Sequence, residues 1–149
     1  MDRARTGSKH HLIVCGQGNP LAASLTGGNR HDVTQMVGLA DAIPAVRGKR
    51  GRPRRRPKQL LADRAYDSRR HRDQLRARHI TPKIAARNTT HGSGLGKERW
   101  VVERTFAWLH QYRRLRVRYE RRADIHEAFL TIGCALICFK ALQRTQAIC

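Results

Sequence analysis

No fold can bury the segment from residue 44 to 58, PAVRGKRGRPRRRPK. Its prolines interrupt helices and strand ladders, its glycines favour turns, and its cations cannot be packed together away from water. It reads as an exposed basic loop between a helix and a strand, and the core has to come from the runs on either side. The rest of the chain shares this bias. Lys and Arg number 31 against 11 Asp and Glu, a formal charge of +20. A compact protein with that charge repels itself unless something anionic binds it. The expected partner is nucleic acid, because each neutralised phosphate releases counterions.

Other classes recede. The chain has 149 residues, a usual size for one domain and enough to bury roughly 70% of the unfolded surface. The longest apolar run, AFLTIGCALICF, falls short of the ~18 residues of a spanning helix and reads as a core helix, with no membrane partner. The start, MDRARTGSKHH, lacks the apolar stretch of a secretory leader. Cys134 and Cys138 lie one helical turn apart, while Cys15 and Cys149 stand near opposite ends. That is no zinc pattern, and buried free thiols in a reducing cytoplasm are expected.

Turn signals divide the chain into short elements. HHLIVC and PLAASLT flank GQGN and predict a hairpin of strands Leu12–Cys15 and Leu21–Thr26. Val33, Met36, Val37 and Ala40 recur at helical spacing, with Asn29 or Asp32 as a cap. QLLAD predicts a short buried strand ending on Asp63, followed by a polar helix from Asp67 to Arg78 and a strand in TPKIA. RNTTHGSGLG reads as a loop. A long helix is predicted over Lys97–Arg113, then a basic, partly extended stretch and a helix over Asp124–Leu142. Strands alternating with helices predict an α/β domain with a mixed sheet. His10, His11 and His91 are expected as polar loop residues. Trp100 and Trp108 are expected in the core.

Two carboxylates stand among apolar neighbours. Asp63 closes a buried strand, where α/β sheets place ligand sites. On the long helix, Arg99, Glu103 and His110 fall on one narrow face. Two carboxylates brought together could hold Mg²⁺ or Mn²⁺ and act on a phosphodiester. The ordinary alternative is more frequent: a surface Arg–Glu pair and a strand-end Asp serving as a cap. Spacing leaves both open.

The ordered series of segments resembles the C-terminal part of a bacterial insertion-sequence transposase of the DDE type, whose catalytic core is RNase H-like. GSKHHLIV and GNPLA resemble that family's second and third strands, and LTGGNRHDVTQ its loop into the first helix. RGRPRRRP resembles its basic loop and LADRAYD the strand carrying the second catalytic Asp. HGSGLGKERWVVERTFAWLHQYRRLRVRYERR resembles the segment carrying the catalytic Glu. The resemblance implies that Asp63 and Glu103 are metal-binding catalytic carboxylates. It places Arg99 at the family's Arg one turn before the Glu, Gly96 where relatives carry a Tyr, and His110 where they carry a Lys. It implies metal-assisted cleavage at element ends and transfer of the freed 3′-hydroxyl to target DNA. Arg47, Lys49, Arg50, Arg52, Arg54, Arg55 and Arg56 in the loop, with Arg113, Arg114 and Arg116, are the expected backbone-binding cations.

One departure matters most. The family's first catalytic Asp lies on a strand upstream of the segment matched by DRARTGSKHH, so the expectation is an N-terminally truncated RNase H-like sheet that lacks its first strand. Weak metal binding and no catalysis by the chain alone would follow. An upstream-encoded transposase half and a homodimer are the expected protein partners. A decayed fragment, a second reading frame and a start assigned too late all fit. Two further readings stay open: a non-catalytic DNA-binding remnant that inhibits intact transposase, and a general basic nucleic-acid-binding protein. Ala65 stands where relatives often have Gly, and would be strained if that position needs a positive φ.

Overall fold

The computed structural model describes residues 7–47, 51–87 and 96–146, without the side chains at 96–99 and 146. The chain divides into two compact units, Met1–Asn29 with Trp100–Cys149, and Arg30–Arg99.

In the first unit, β-branched and apolar residues form β1 (Ser8–Val14), paired antiparallel with β2 (Pro20–Gly27). Ser8 stands opposite Gly27, and the register shifts between Ile13 and Val14. The turn between them is closed by Cys15 N–H to Asn19 O and Gly18 N–H to Cys15 O, both 2.9 Å. Gly18 has φ +89, and a Cβ there would lie 2.9 Å from an Arg104 nitrogen. Only glycine combines that conformation with that approach. The expected hairpin is therefore present, with longer strands. His10 and His11 lie in β1, not in a loop, and His11 is buried.

α3 spans Gly96–Leu109 and stops short of the expected Arg113. In a continuous helix Leu109 and Leu115 would point about 120° apart. Tyr112 is extended instead, and the short α4 (Arg113–Arg116) takes up the first part of the expected basic, partly extended stretch, with Val117 extended after it. The corner puts Leu109 and Leu115 into one buried cluster with Leu130 and Ile137 of α5 (Ala123–Gln146), against Leu12, Ala23, Phe106 and Phe129. Gly133 permits this. A Cβ there would meet Leu115 Cδ1 at 2.8 Å and Leu109 Cδ2 at 3.0 Å. By length and composition alone α5 could cross a membrane, which the run of uninterrupted apolar residues did not suggest. One face carries His126 and the unit's core, but Ile132, Leu136, Phe139 and Leu142 are exposed, so the expected core helix is buried on one side only.

The second unit starts with a 3-10 helix, Asp32–Gln35, that continues into α1 (Met36–Asp41). No side chain caps either start, so the expected role of Asn29 or Asp32 as a cap is not realised. β3 (Gln59–Ala62) and β4 (Thr81–Ile84) pair in parallel, Gln59 opposite Thr81. Parallel strands need a crossover, and α2 (Arg69–Ala77) supplies it. α2 starts two residues later than expected, because Asp67 and Ser68 are extended after a 3-10 turn over Arg64–Tyr66. It ends with His79 at φ 58, Ile80 N–H bonding Leu75 O at 3.0 Å, and both apolar side chains buried. This is a Schellman stop with His in the left-handed position that usually holds glycine. Among the described residues His79 alone is non-glycine with positive φ, so the strain anticipated at Ala65 is absent.

The basic segment is more ordered than a free loop. Val46 and Arg54 exchange backbone hydrogen bonds of 2.8 and 2.9 Å across an isolated antiparallel bridge. The mixed α/β class holds, but β1–β2 and β3–β4 are separate two-stranded sheets, not one mixed sheet. Alternation of helices and strands predicts crossovers; it does not specify which strand edges meet.

Candidate catalytic carboxylates and nucleic-acid interface

Asp63 follows the last residue of β3. Its Oδ1 accepts the Ala65 N–H at 2.8 Å, so it caps the 3-10 turn while remaining partly open to solvent. That turn is braced from both sides. Asp67 Oδ1 accepts from Arg72 Nε at 2.8 Å, and Oδ2 accepts from Arg87 N–H at 2.7 Å. Those bonds, Arg87's backbone first and then Arg72's side chain, hold the Asp67 carboxyl below its ordinary pKa. The Arg72 guanidinium also donates to Ile84 O at 2.8 Å, and Arg87 donates to Arg64 O and Ala65 O at 3.3 Å. The segment carrying Asp63 is thereby tied to the end of β4.

Asp32 also stands in this neighbourhood, which its expected capping role concealed. Burial first, then the charges of Asp32 and Asp63, push the Tyr66 phenol up to about 12. The unit therefore gathers two carboxylates around one neutral phenol. No spacing signal could have paired Asp32 with Asp63, because contact between their two 3-10 turns creates the grouping.

Glu103 is exposed on α3. The Arg99 side chain lies outside the described residues, so the expected Arg99–Glu103 face is described only at Glu103. The adjoining face holds a feature the sequence reading missed. The Arg104 guanidinium lies 4.5 Å from the Trp100 ring centroid and 4.8 Å from that of Trp108, and donates to Gln17 O at 2.7 Å. An aromatic–cation–aromatic run at i, i+4, i+8 was a readable signal for it. Arg104 Nε is buried without a hydrogen-bond partner among the described residues. Trp108 packs against the core as expected, whereas Trp100 is 49% exposed.

Asp63 belongs to the second unit and Glu103 to the first. Among the described residues no group of three or more His, Cys, Asp and Glu is arranged to hold a metal ion. The residues described do not make up a complete metal site.

The cations differ in how committed they are. Arg47, Arg52, Arg54, Arg55 and Arg56 are exposed; Lys49 and Arg50 lie outside the described residues. Arg113 donates to the Tyr119 hydroxyl at 3.0 Å, and Arg114 pairs with Glu120 while lying 5.2 Å from the Phe129 ring centroid. Burial raises the Glu120 pKa, but hydrogen bonds from Arg114, its own backbone and His126 lower it further, leaving it below the ordinary value. Arg116 is exposed. The His110 ring lies 6.4 Å from His10 and 6.2 Å from Phe106, within a histidine group that includes His126. His91 and Cys149 lie outside the described residues. Cys15, Cys134 and Cys138 are free but only partly buried, and burial pushes the Cys134 thiol up to about 11.

Comparison with known proteins places the chain. Residues 2–138 match the family model described as "Transposase DDE domain", a span that includes Asp63, Glu103 and the basic loop. A Burkholderia cepacia protein named "Putative transposase for insertion sequence element IS402" is 64% identical over 145 residues, covering 97% of this chain and 69% of that protein. No solved structure matches. The chain belongs to the DDE transposases of insertion sequences.

Proposed function

We propose that this chain is an incomplete RNase H-like catalytic domain that cuts DNA at insertion-sequence ends and joins the freed 3′-hydroxyl to target DNA. DDE transposases act on DNA and use divalent metal ions. In this reading Asp63 and Glu103 are two of the carboxylates that hold Mg²⁺ or Mn²⁺, with Arg99 on α3 and His110 just past its end as DNA contacts. Arg47, Lys49, Arg50, Arg52, Arg54, Arg55 and Arg56, with Arg113, Arg114 and Arg116, follow the phosphate backbone. The third carboxylate comes from protein beyond this chain. Such a protein works in the bacterial cytoplasm, on the chromosome.

The observation that carries this reading is the place of Asp63, at the C-terminal end of β3 in a parallel pair, on a turn braced by Asp67, Arg72 and Arg87. A carboxylate serving only as a cap would not need that bracing. A second reading is a DNA-binding remnant that occupies element ends without cutting them. It is favoured by the lack of a three-ligand group among the described residues.

Nicking of a supercoiled plasmid bearing the element ends, with Mn²⁺ present, separates the two. The catalytic reading expects nicking by the chain combined with the protein that supplies the third carboxylate, nicking that disappears in Asp63→Asn and in Glu103→Gln with DNA affinity retained or raised. Binding without nicking in that combination selects the remnant.

A further inference from the structure

The basic segment of the second unit is closed into a hairpin. Val46 and Arg54 exchange both backbone hydrogen bonds, at 2.8 and 2.9 Å, so the chain reverses between them. On the returning limb Gly51, Arg52, Pro53 and Arg54 are all exposed, as are Arg55 and Arg56 behind them. Gly51 has φ +95, a conformation that favours glycine, and a Cβ there would meet nothing within 4 Å. Pro53 lacks a backbone N–H and disfavours helical backbone at Arg52 before it. A long cationic side chain is thus carried between a residue with no side chain and one whose side chain is folded back into a ring. Such a limb is thin, and no packing inside the protein asks for it.

We infer that this limb enters the minor groove of A·T-rich duplex DNA, with the Arg52 guanidinium against the groove floor and Arg54, Arg55 and Arg56 on the phosphates at its rim. The inference rests on the reading of this chain as a DNA-acting protein and deepens it. Shape favours this groove. The minor groove is about 6 Å wide and narrower in A-tracts, so it admits a thin limb where a helix or a two-stranded ribbon would not fit. The choice of cation favours it too. Residues 50–56 hold five arginines and no lysine. A phosphate attracts either cation, whereas a narrow groove with its concentrated negative potential suits the planar, weakly hydrated guanidinium.

Base chemistry sets the preference. On the groove floor A·T pairs present only acceptors, while G·C adds the N2 amino group. Arginine carries donors alone, so it pairs with the first floor and is obstructed by the second.

Fluorescence anisotropy of the full chain at fixed salt tests this, on duplexes that differ only in a central block of A·T, G·C or inosine·C pairs. Inosine·C keeps the major-groove groups of G·C but lacks the N2 amino group, so its minor groove presents the acceptors of A·T. The A·T and inosine·C duplexes should bind alike, and about tenfold more tightly than G·C. Arg52→Ala should remove that difference with an unchanged circular dichroism spectrum, because the residue is exposed. Equal affinity of the unaltered chain for all three duplexes would leave the limb on the phosphates and overturn the inference, with the DNA-acting reading intact. An inosine·C duplex that behaves like G·C while A·T binds more tightly would place the contact in the major groove and overturn it as well. So would an A·T preference that survives Arg52→Ala. Absence of binding to every duplex would overturn the DNA-acting reading, and the inference with it.

Discussion

The Nε2 atoms of His10 and His126 stand 2.9 Å apart with their rings stacked, so one imidazole donates to the other across the first unit. Such a bond needs an unprotonated acceptor. Burial first, then the charges of His126, His110 and His11, lowers the His10 pKa from 6.5 to about 4. The unfolded chain therefore takes up a proton before the folded one does. The stability linked to His10 is complete above about pH 6.5, falls as the pH drops toward 4, and does not change further below that. Glu120 faces His126 Nδ1 at 3.4 Å, and its lowered pKa adds a further loss as the pH falls through the ordinary carboxylate range and below. Urea midpoints measured between pH 7 and pH 4.5 should fall steadily in the unaltered chain. His10→Gln should flatten that fall.

Gly133→Ala tests the corner between α3 and α4. The new Cβ would lie 2.8 Å from Leu115 and 3.0 Å from Leu109, both buried and packed. Ala favours a helix over Gly by about 1 kcal/mol, but overpacking a filled core costs about 1–3 kcal/mol. A net loss of about 1 kcal/mol is expected in denaturant unfolding. A net gain would mean that α5 is not held against that corner.

How much of this was legible in the sequence depends on whether a feature is local. The β1–β2 hairpin follows from two apolar runs around GQGN, and β3 from QLLA between a basic loop and a turn. Asp63 was placed by the same local reasoning, at the end of a short apolar run. The end of α3 was not legible, because packing of Leu109 and Leu115 on Leu130 decides it, and no pattern inside the helix records that. His10 and His11 were expected in a loop because a histidine pair looks polar. In the structure His11 bonds Thr26 across the hairpin and His10 bonds His126, over a hundred residues away. The neighbourhood of Asp32, Tyr66 and Asp63 is equally a product of tertiary contact. Membership in the transposase family, by contrast, was readable from the order of the motifs, and the family match agrees with it.

DNA binding should depend steeply on salt. Each phosphate contact adds about 0.9 to the slope of log affinity against log salt. Replacing Arg52, Arg54, Arg55 and Arg56 together by Ala should lower the slope by up to one such increment per lost contact. Replacing Arg113 and Arg114 should change it less, since Tyr119 and Glu120 already occupy them. Fluorescence anisotropy over a salt series measures both. Equal slopes in all variants would remove the basic loop from the interface.

The most direct test of the catalytic assignment is protein cleavage by Fe²⁺ in place of Mg²⁺, with ascorbate and peroxide, in the presence of element-end DNA. Hydroxyl radicals formed at a bound ion cut the backbone beside its ligands. The account predicts fragments ending near residues 63 and 103 together, suppressed by excess Mg²⁺ and absent in both Asp63→Asn and Glu103→Gln. Cleavage elsewhere, or cleavage at one of the two positions that survives loss of the other carboxylate, would contradict it.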